Sequence, residues 1–303
     1  MLRYFVSRIL LAILTVFIII AITFFAMNAI PGGPFDSEKA PDPVVKAVLE
    51  QRYNLDKPVW QQFLIYVGNI LHGDFGVSLK TGRSITQTIR ESFGISAKLG
   101  LMAALVAVVF GLTFGSIAAL TRSGWSDRLI IFFTTLMVSV PSFVLATLLL
   151  LVFCLQLKWF PVWSQSRPNY VLPVIALSMS PMAYITRLTK SSMLDVLGQD
   201  YIRTAVSKGV SQFWVVAKHA LRNALIPVIT YVGPMVAYIV TGSLVVESVF
   251  TIGGLGGKFI TSINNRDYPL IMATTIFLAV LMVLATLLSD LVYKLVDPRI
   301  NFD

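Results

Sequence analysis

The stretch ILLAILTVFIIIAITFFAMNAI, residues 9–30, contains no charged side chain. A bilayer hydrocarbon core about 30 Å thick is crossed by roughly 20 residues of α-helix, so this run is long enough to span. Arg3 and Arg8 precede it in the manner of a signal-peptide n-region. A secretory h-region is only about 7–15 residues long, however, and is followed by an A-x-A-like site. No such site cleanly follows Ile30, and the run reads as an uncleaved first span.

Five more runs of this kind lie downstream, between Lys98 and Arg122, Arg128 and Lys158, Arg167 and Arg187, Arg222 and Glu247, and Asp267 and Asp290. A charge at mid-bilayer costs about 2.5–3.5 kcal/mol on insertion scales, which makes charge-free length the useful signal. With the first run, bounded by Arg8 and Asp36, they predict an all-α, polytopic membrane protein of six transmembrane helices. Composition agrees: 56% of the residues are hydrophobic and 13% charged, about half the charged share of a soluble domain. The fourth run is the shortest and carries Pro173 and Pro181, so a kink is expected there.

Orientation follows from Lys and Arg in the short loops. An inside N-terminus places Arg122, Arg128, Arg187, Lys190, Arg203, Lys208, Lys218, Arg222 and Lys294 in the cytoplasm. Only Lys158, Arg167, Lys258 and Arg266 then fall in the two short outer loops. Both termini are predicted to be cytoplasmic, and the net charge of +9 is partly a topology signal rather than a nucleic-acid footprint. The expected division is a first helix at 1–30, an extracytoplasmic segment at 31–96, a five-helix core at 97–294 and a cytoplasmic tail at 295–303.

The segment at 31–96 opens on Pro31-Gly32-Gly33-Pro34 and is too long for a simple connection. A short helix is expected over Pro43–Tyr53. A second begins near Pro58, with Trp60, Phe63, Leu64, Val67, Ile70 and Leu71 at helical spacing, and Gly73, Asp74 and Gly76 end it. It reads either as a cap on the membrane surface or as a docking surface for an extracytoplasmic partner.

None of the six runs holds an ionisable side chain. That disfavours ion- or proton-coupled carriers, which place such groups in the membrane, and it leaves no catalytic constellation. Cys154 is the lone cysteine, and His72 and His219 are too few and too far apart for a metal site. The polar residues Ser139, Ser178, Ser180, Tyr231, Tyr238 and Ser243 are candidates to line a pathway, or else to hydrogen-bond between helices. Gly111 and Gly115 form a GxxxG pair suited to close packing. The cluster Gly253, Gly254, Gly256, Gly257, Lys258 is not a P-loop. Ile252 stands at the first glycine position and Phe259 at the hydroxyl position. Any ATP chemistry belongs to another chain.

The cytoplasmic loop at 187–223 is the most informative. Asp200 is placed as N-cap of a helix over Tyr201–Lys208, Gly209 at its C′ position and Ser211 as cap of the next helix. Ile202, Ala205, Val206 and Gly209 fall near one face, ringed by Arg203, Lys208, Lys218 and Arg222. Residues Asp200 to Gly209, leading to His219 to Pro227, resemble the EAA loop of bacterial ABC-transporter permeases, E-A-A-x₃-G-x₉-I-x-L-P. Ala205, Gly209 and Leu221 match it, whereas Arg203, Thr204, His219 and Arg222 replace the glutamate, first alanine, isoleucine and proline. Those departures, D-Y-I-R-T-A and H-A-L-R-N-A, resemble the peptide-permease branch. So do Met1-Leu2-Arg3-Tyr4, Leu55-Asp56-Lys57-Pro58, Gly73-Asp74-Phe75-Gly76, Glu247-Ser248-Val249-Phe250 with its following glycines, Asn265-Arg266-Asp267-Tyr268-Pro269 and Asp297-Pro298-Arg299.

The chain is thereby identified as similar to the first membrane subunit of an oligopeptide or dipeptide importer. The resemblance implies a type I ABC importer transmembrane domain in the bacterial plasma membrane. Its expected partners are a second permease, two cytoplasmic ATPases that bind ATP and Mg, an extracytoplasmic binding protein and a peptide substrate. Asp200, Tyr201, Arg203, Thr204, Ala205, Lys208, Gly209, His219 and Leu221 would form the ATPase-coupling loop, with Tyr201, Arg203, Ala205, Lys208 and Gly209 as its docking surface. Nickel and glutathione importers use close relatives of this subunit, and an ATP-independent carrier or channel is the competing class.

Overall fold

The structure, a computed structural model, describes residues 2–30 and 56–296, with side chains over 6–30 and 56–288. The expected Pro31–Pro34 turn, the Pro43–Tyr53 helix and the tail lie outside the described residues. The helices, in order, are α1 (Leu2–Ala29), α2 (Val59–Leu71), α3 (Ile85–Leu120), α4 (Trp125–Ser139), α5 (Ser142–Leu149) and α6 (Val171–Leu197). They continue with α7 (Asp200–Ser207), α8 (Gln212–Trp214), α9 (Leu221–Val240), α10 (Leu244–Val249), α11 (Leu255–Asn264) and α12 (Tyr268–Val296). Two π-helical turns join them, Leu150–Gln156 after α5 and Val215–Ala220 between α8 and α9.

Among the described residues, five helical stretches are long and apolar enough to cross a membrane: Val6–Ala29, Ile85–Leu120, Val171–Leu197, Gln212–Val249 and Tyr268–Leu288. A sixth is built from α4 and the α5–π pair, which meet at a bend of 100°. The expected kink therefore moves from the fourth run to the third. Val140 is extended, and Pro141 precedes α5 without an amide hydrogen to continue the α4 ladder. Pro173 in the fourth run falls in the first turn of α6, where no donor is needed, and Pro181 sits within an uninterrupted helix.

The centre of the bundle is the α3–α6 pair. One face of α3 is coated with small buried residues, among them Gly100, Ala103, Ala104, Ala107, Gly111, Gly115, Ala118 and Ala119. A Cβ on Gly111 would stand 2.7 Å from the Ile185 side chain, and one on Gly115 would stand 2.6 Å from the Thr186 carbonyl oxygen. Gly100 makes the same close approach to α9, 2.7 Å from the Ile239 carbonyl oxygen. Lipid tails are as apolar as leucine, so helices in a bilayer associate through such close packing. The glycine pair is one part of a longer small-residue face.

Helix α3 begins at Ile85, ahead of the Lys98 boundary expected for it, with Ser84 as N-cap accepting from the Gln87 amide. Lys98 sits over the Tyr170 ring, 5.1 Å from its centroid, instead of ending the helix. Helix α2 starts after Pro58, as its spacing predicts, and lies on α1 through aromatic contacts of Phe63 with Phe24 and Phe25, at 5.4 and 5.2 Å. The loop after α2 folds back through a bridge between Val77 and Ser84. Its Ser78 hydroxyl donates to buried Asp267, which also accepts from the Leu79 amide at 3.2 Å. Asp267 immediately precedes α12, so this loop is clamped to the start of the last helix.

Candidate functional site

Helix α7 is built by local rules. Gln199, in an extended conformation, is its N-cap, and Asp200 is its first residue, where a negative charge suits the helix dipole. The Asp200 cap expected from the sequence is thus displaced by one position. Gly209 takes φ +77° at C′. Its amide donates to the Val206 carbonyl at 2.9 Å, and the Val210 amide donates to Ala205 at 3.2 Å. These two bonds make a Schellman closure, which satisfies carbonyls that the helix end would otherwise leave open. Ser211 precedes α8 as N-cap, but its hydroxyl makes no capping bond; its carbonyl accepts from Val215.

The loop is pinned to the bundle. Ile202 and Ala205 are buried against Ala119, Met193, Val215, Ala220 and Ala224. The Tyr201 hydroxyl accepts from Asn223 Nδ2 at 2.8 Å, tying α7 to the first turn of α9. Ala205 is only 8% exposed, so it packs inward and is unavailable to a docking partner. That corrects the expected docking surface: an apolar i, i+3 pair on a short helix has one inner face, and here the parent chain occupies it. Asp200, Tyr201, Arg203, Thr204, Val206, Lys208 and Gly209 remain exposed, while His219 and Leu221 are half-buried. Arg203 lies 3.9 Å from Asp200, both almost fully exposed. Phe213 and Trp214, in the helix that Ser211 was expected to cap, stack edge to face at 5.5 Å and are 70% and 57% exposed.

The loop does not end where the fifth span begins. Helix α8, the Val215–Ala220 π turn and α9 run on without interruption, and the Leu221 amide reaches five residues back to the Val216 carbonyl. An extra residue is thereby accommodated between α7 and the span. Nearby, Lys190 pairs with buried Asp127, which also accepts from the Ser123 amide at 3.0 Å, and Arg187 donates to Thr135 Oγ1 at 3.0 Å. These charges belong to the helix bodies of α4 and α6. Among the described residues, then, the helices that span are less free of charge than the runs implied.

Further along α9, from Tyr231 onward and so about 15 Å beyond Leu221 at 1.5 Å per residue, a cavity of about 870 Å³ opens among α4, α5, α6, α9 and α12. Ser180, Tyr231, Tyr238 and Ser243 are on its wall, with Ser142, Thr241 and the methionines 137, 179, 235 and 282. Ser139 and Ser178 are not. The Ser139 hydroxyl faces back to the Thr135 carbonyl, and Ser178 is buried on the Ile175 carbonyl. The wall carries no charged side chain. Tyr238 is 71% exposed, and the Tyr231 ring stacks on Tyr184 at 4.2 Å. The cavity is of the size that encloses a small ligand, roughly 300–1,000 Å³.

Long apolar helices packed around a cavity are the frame of a multi-pass membrane protein. Residues 111–302 match the family of binding-protein-dependent transport system inner membrane components, and residues 1–100 match the N-terminal part of such components. The chain belongs to that family and is a multi-pass protein of the bacterial plasma membrane. It is 46% identical to the dipeptide transport system permease protein DppB of Bacillus subtilis, over 99% of this chain and 98% of that protein. It is 42% identical to the oligopeptide transport system permease protein OppB of Haemophilus influenzae, over the whole of both. Among solved structures, an inward-facing MetNI methionine ABC transporter superposes at a TM-score of 0.56 and 15% identity, covering 70% of this chain and 97% of that one. An amino acid ABC transporter gives 0.55 and 16%, covering 69% and 94%. These two likenesses establish the ABC-importer membrane-domain fold.

Proposed function

We propose that this chain is the membrane subunit of an ATP-driven importer of dipeptides or oligopeptides. The observation that carries the reading is the full-length identity to DppB and OppB permeases, in a chain whose cavity wall is neutral and rich in methionine. Peptides vary in side chain but not in backbone. Flexible thioethers adapt to the former, while Ser180, Tyr231, Tyr238 and Ser243 offer hydroxyls to the latter. A second, similar permease closes the cavity on the side where Tyr238 is exposed, so this chain supplies half of the pathway.

The α7 loop faces the cytoplasm, with both termini, and docks into a groove on one of two ATPase subunits, which bind ATP and Mg. The exposed Tyr201, Val206, Phe213 and Trp214, with Arg203 and Lys208, suit a groove that is apolar at its floor and acidic at its rim. Movement of that groove reaches the cavity through α9, because the Asn223–Tyr201 bond and the buried Ile202 and Ala205 make α7 and α9 one body. Coupling requires that the loop be held differently in the two states of the ATPases. An extracytoplasmic binding protein delivers cargo at the opposite face.

The test is reconstitution of the chain with its partner subunits in liposomes. Peptide uptake that needs both ATP and the binding protein is expected. Uptake by the lone chain without ATP would replace this reading with a carrier or channel. Uptake of a nickel chelate or glutathione, but no peptide, would overturn the cargo.

A further inference from the structure

Glu247 is fully buried, and among the described residues it forms no ion pair. In the sequence it ends a charge-free run and opens the Glu247-Ser248-Val249-Phe250 motif. In the fold it lies inside α10, directly behind the cavity wall formed by Thr241, Gly242, Ser243 and Leu244. Its carboxylate accepts from the Ser96 hydroxyl at 2.7 Å and from the Gly257 amide at 3.1 Å. The same Ser96 oxygen accepts from the Leu255 amide at 2.8 Å.

Leu255 and Gly257 are in the first turn of α11, whose N-cap, Gly254, has no side chain with which to cap it. Ser96 from α3 and Glu247 from α10 therefore cap α11 in trans, and the partial positive charge of that helix end takes the place of a cation. The glycines explain how a carboxylate fits there. A Cβ on Gly254 would collide with Glu247 and Ser96, one on Gly242 would lie 3.0 Å from Glu247 Oε1, and one on Gly256 would lie 2.9 Å from the Leu244 amide nitrogen. The Ile252 amide, donating to the Glu247 carbonyl at 2.8 Å, closes the turn between α10 and α11.

We propose that Glu247 is a positioning residue for transport: with Ser96 it latches the α10–α11 hairpin onto α3 and so closes the end of the cavity remote from the α7 loop. Three segments meet at this one carboxylate, and among the described residues none of the three is joined to another by an ion pair. Release of the latch frees the hairpin from α3 and opens the cavity at that end. The inference rests on the reading of the cavity as the pathway, and the test separates the two.

Ser180→Cys, in a Cys154→Ser background that removes the chain's own thiol, places a reporter on the cavity wall. Its labelling by a membrane-impermeant thiol reagent, added at the hairpin end, is followed in the complete reconstituted complex. In nucleotide-free complexes, Glu247→Ala is expected to raise the labelling rate about tenfold, because Gly257 loses its acceptor and Ser96 its partner. Glu247→Gln retains an acceptor for Gly257 and an amide for Ser96, and is expected to stay within about threefold of the parent. Ser96→Ala is expected to fall between them. Equal labelling of the parent and Glu247→Ala overturns the latch, as does a Glu247→Gln rate equal to that of Glu247→Ala. Should Glu247→Ala fail to assemble, parent-like labelling in Ser96→Ala overturns it instead. A parent rate that ignores ATP and binding protein together would count against the cavity as pathway, without touching the nucleotide-free comparison.

Discussion

Replacing Gly209 separates two reasons why that position needs glycine. Its φ of +77° is one that an L side chain adopts only at a cost of about 1–2 kcal/mol. That cost corresponds to a shift of roughly 5–30-fold in the population of the closed helix end. Yet a Cβ there would meet nothing within 4 Å among the described residues. If conformation is the reason, Asn, which tolerates the left-handed region, should serve better than Ala, and Ala better than the β-branched Val. If a partner surface pressed on the glycine were the reason, the order would follow size and Ala would serve best. The assay is ATP hydrolysed per peptide imported by the reconstituted complex. Gly209→Asn is expected to stay close to the parent, Gly209→Ala to waste ATP several-fold, and Gly209→Val to waste the most. An Ala variant that couples better than the Asn variant would refute the conformational argument and restore direct contact.

Two further outcomes are expected. Gly111→Leu forces side-chain atoms into the 2.7 Å gap to Ile185, an overpacking cost of about 1–3 kcal/mol, and should lower the thermal unfolding midpoint of the purified chain; Gly94→Ala, whose Cβ would touch nothing among the described residues, should keep or slightly raise it, because alanine favours a helix interior. Deleting exposed Ala217 converts the Val215–Ala220 π turn into regular α-helix with both flanks kept in register, and should abolish stimulation of the ATPase by binding protein in assembled complexes; retained stimulation would deny the turn any part in coupling.

Charge-free length located the spans because insertion cost is a property of the chain itself. It was blind to direction, and so the kink was expected in the fourth run although Pro141 stood in plain view in the third. It also misplaced the start of α3, since Lys98 satisfies its charge beside Tyr170 rather than by ending the helix. The α7 helix, its glycine stop and its apolar face were legible from spacing. What spacing could not decide was whether that face served the parent chain or a partner, and burial of Ala205 gives the first answer. The Glu247 arrangement was out of reach for a different reason: Ser96 lies 151 residues away, and no local period connects them.

The clamp between the 78–79 turn and Asp267 bears on how such subunits can be recombined. The stretch matching the N-terminal family model, residues 1–100, is held to the last helix at that clamp and again along α1, which packs on α12. A chimera that swaps residues 1–100 between relatives must therefore bring a matching acceptor at position 267, or the graft arrives without its fastening. The boundary between the two modules runs through sequence, but in space the first module is stitched to the far end of the second.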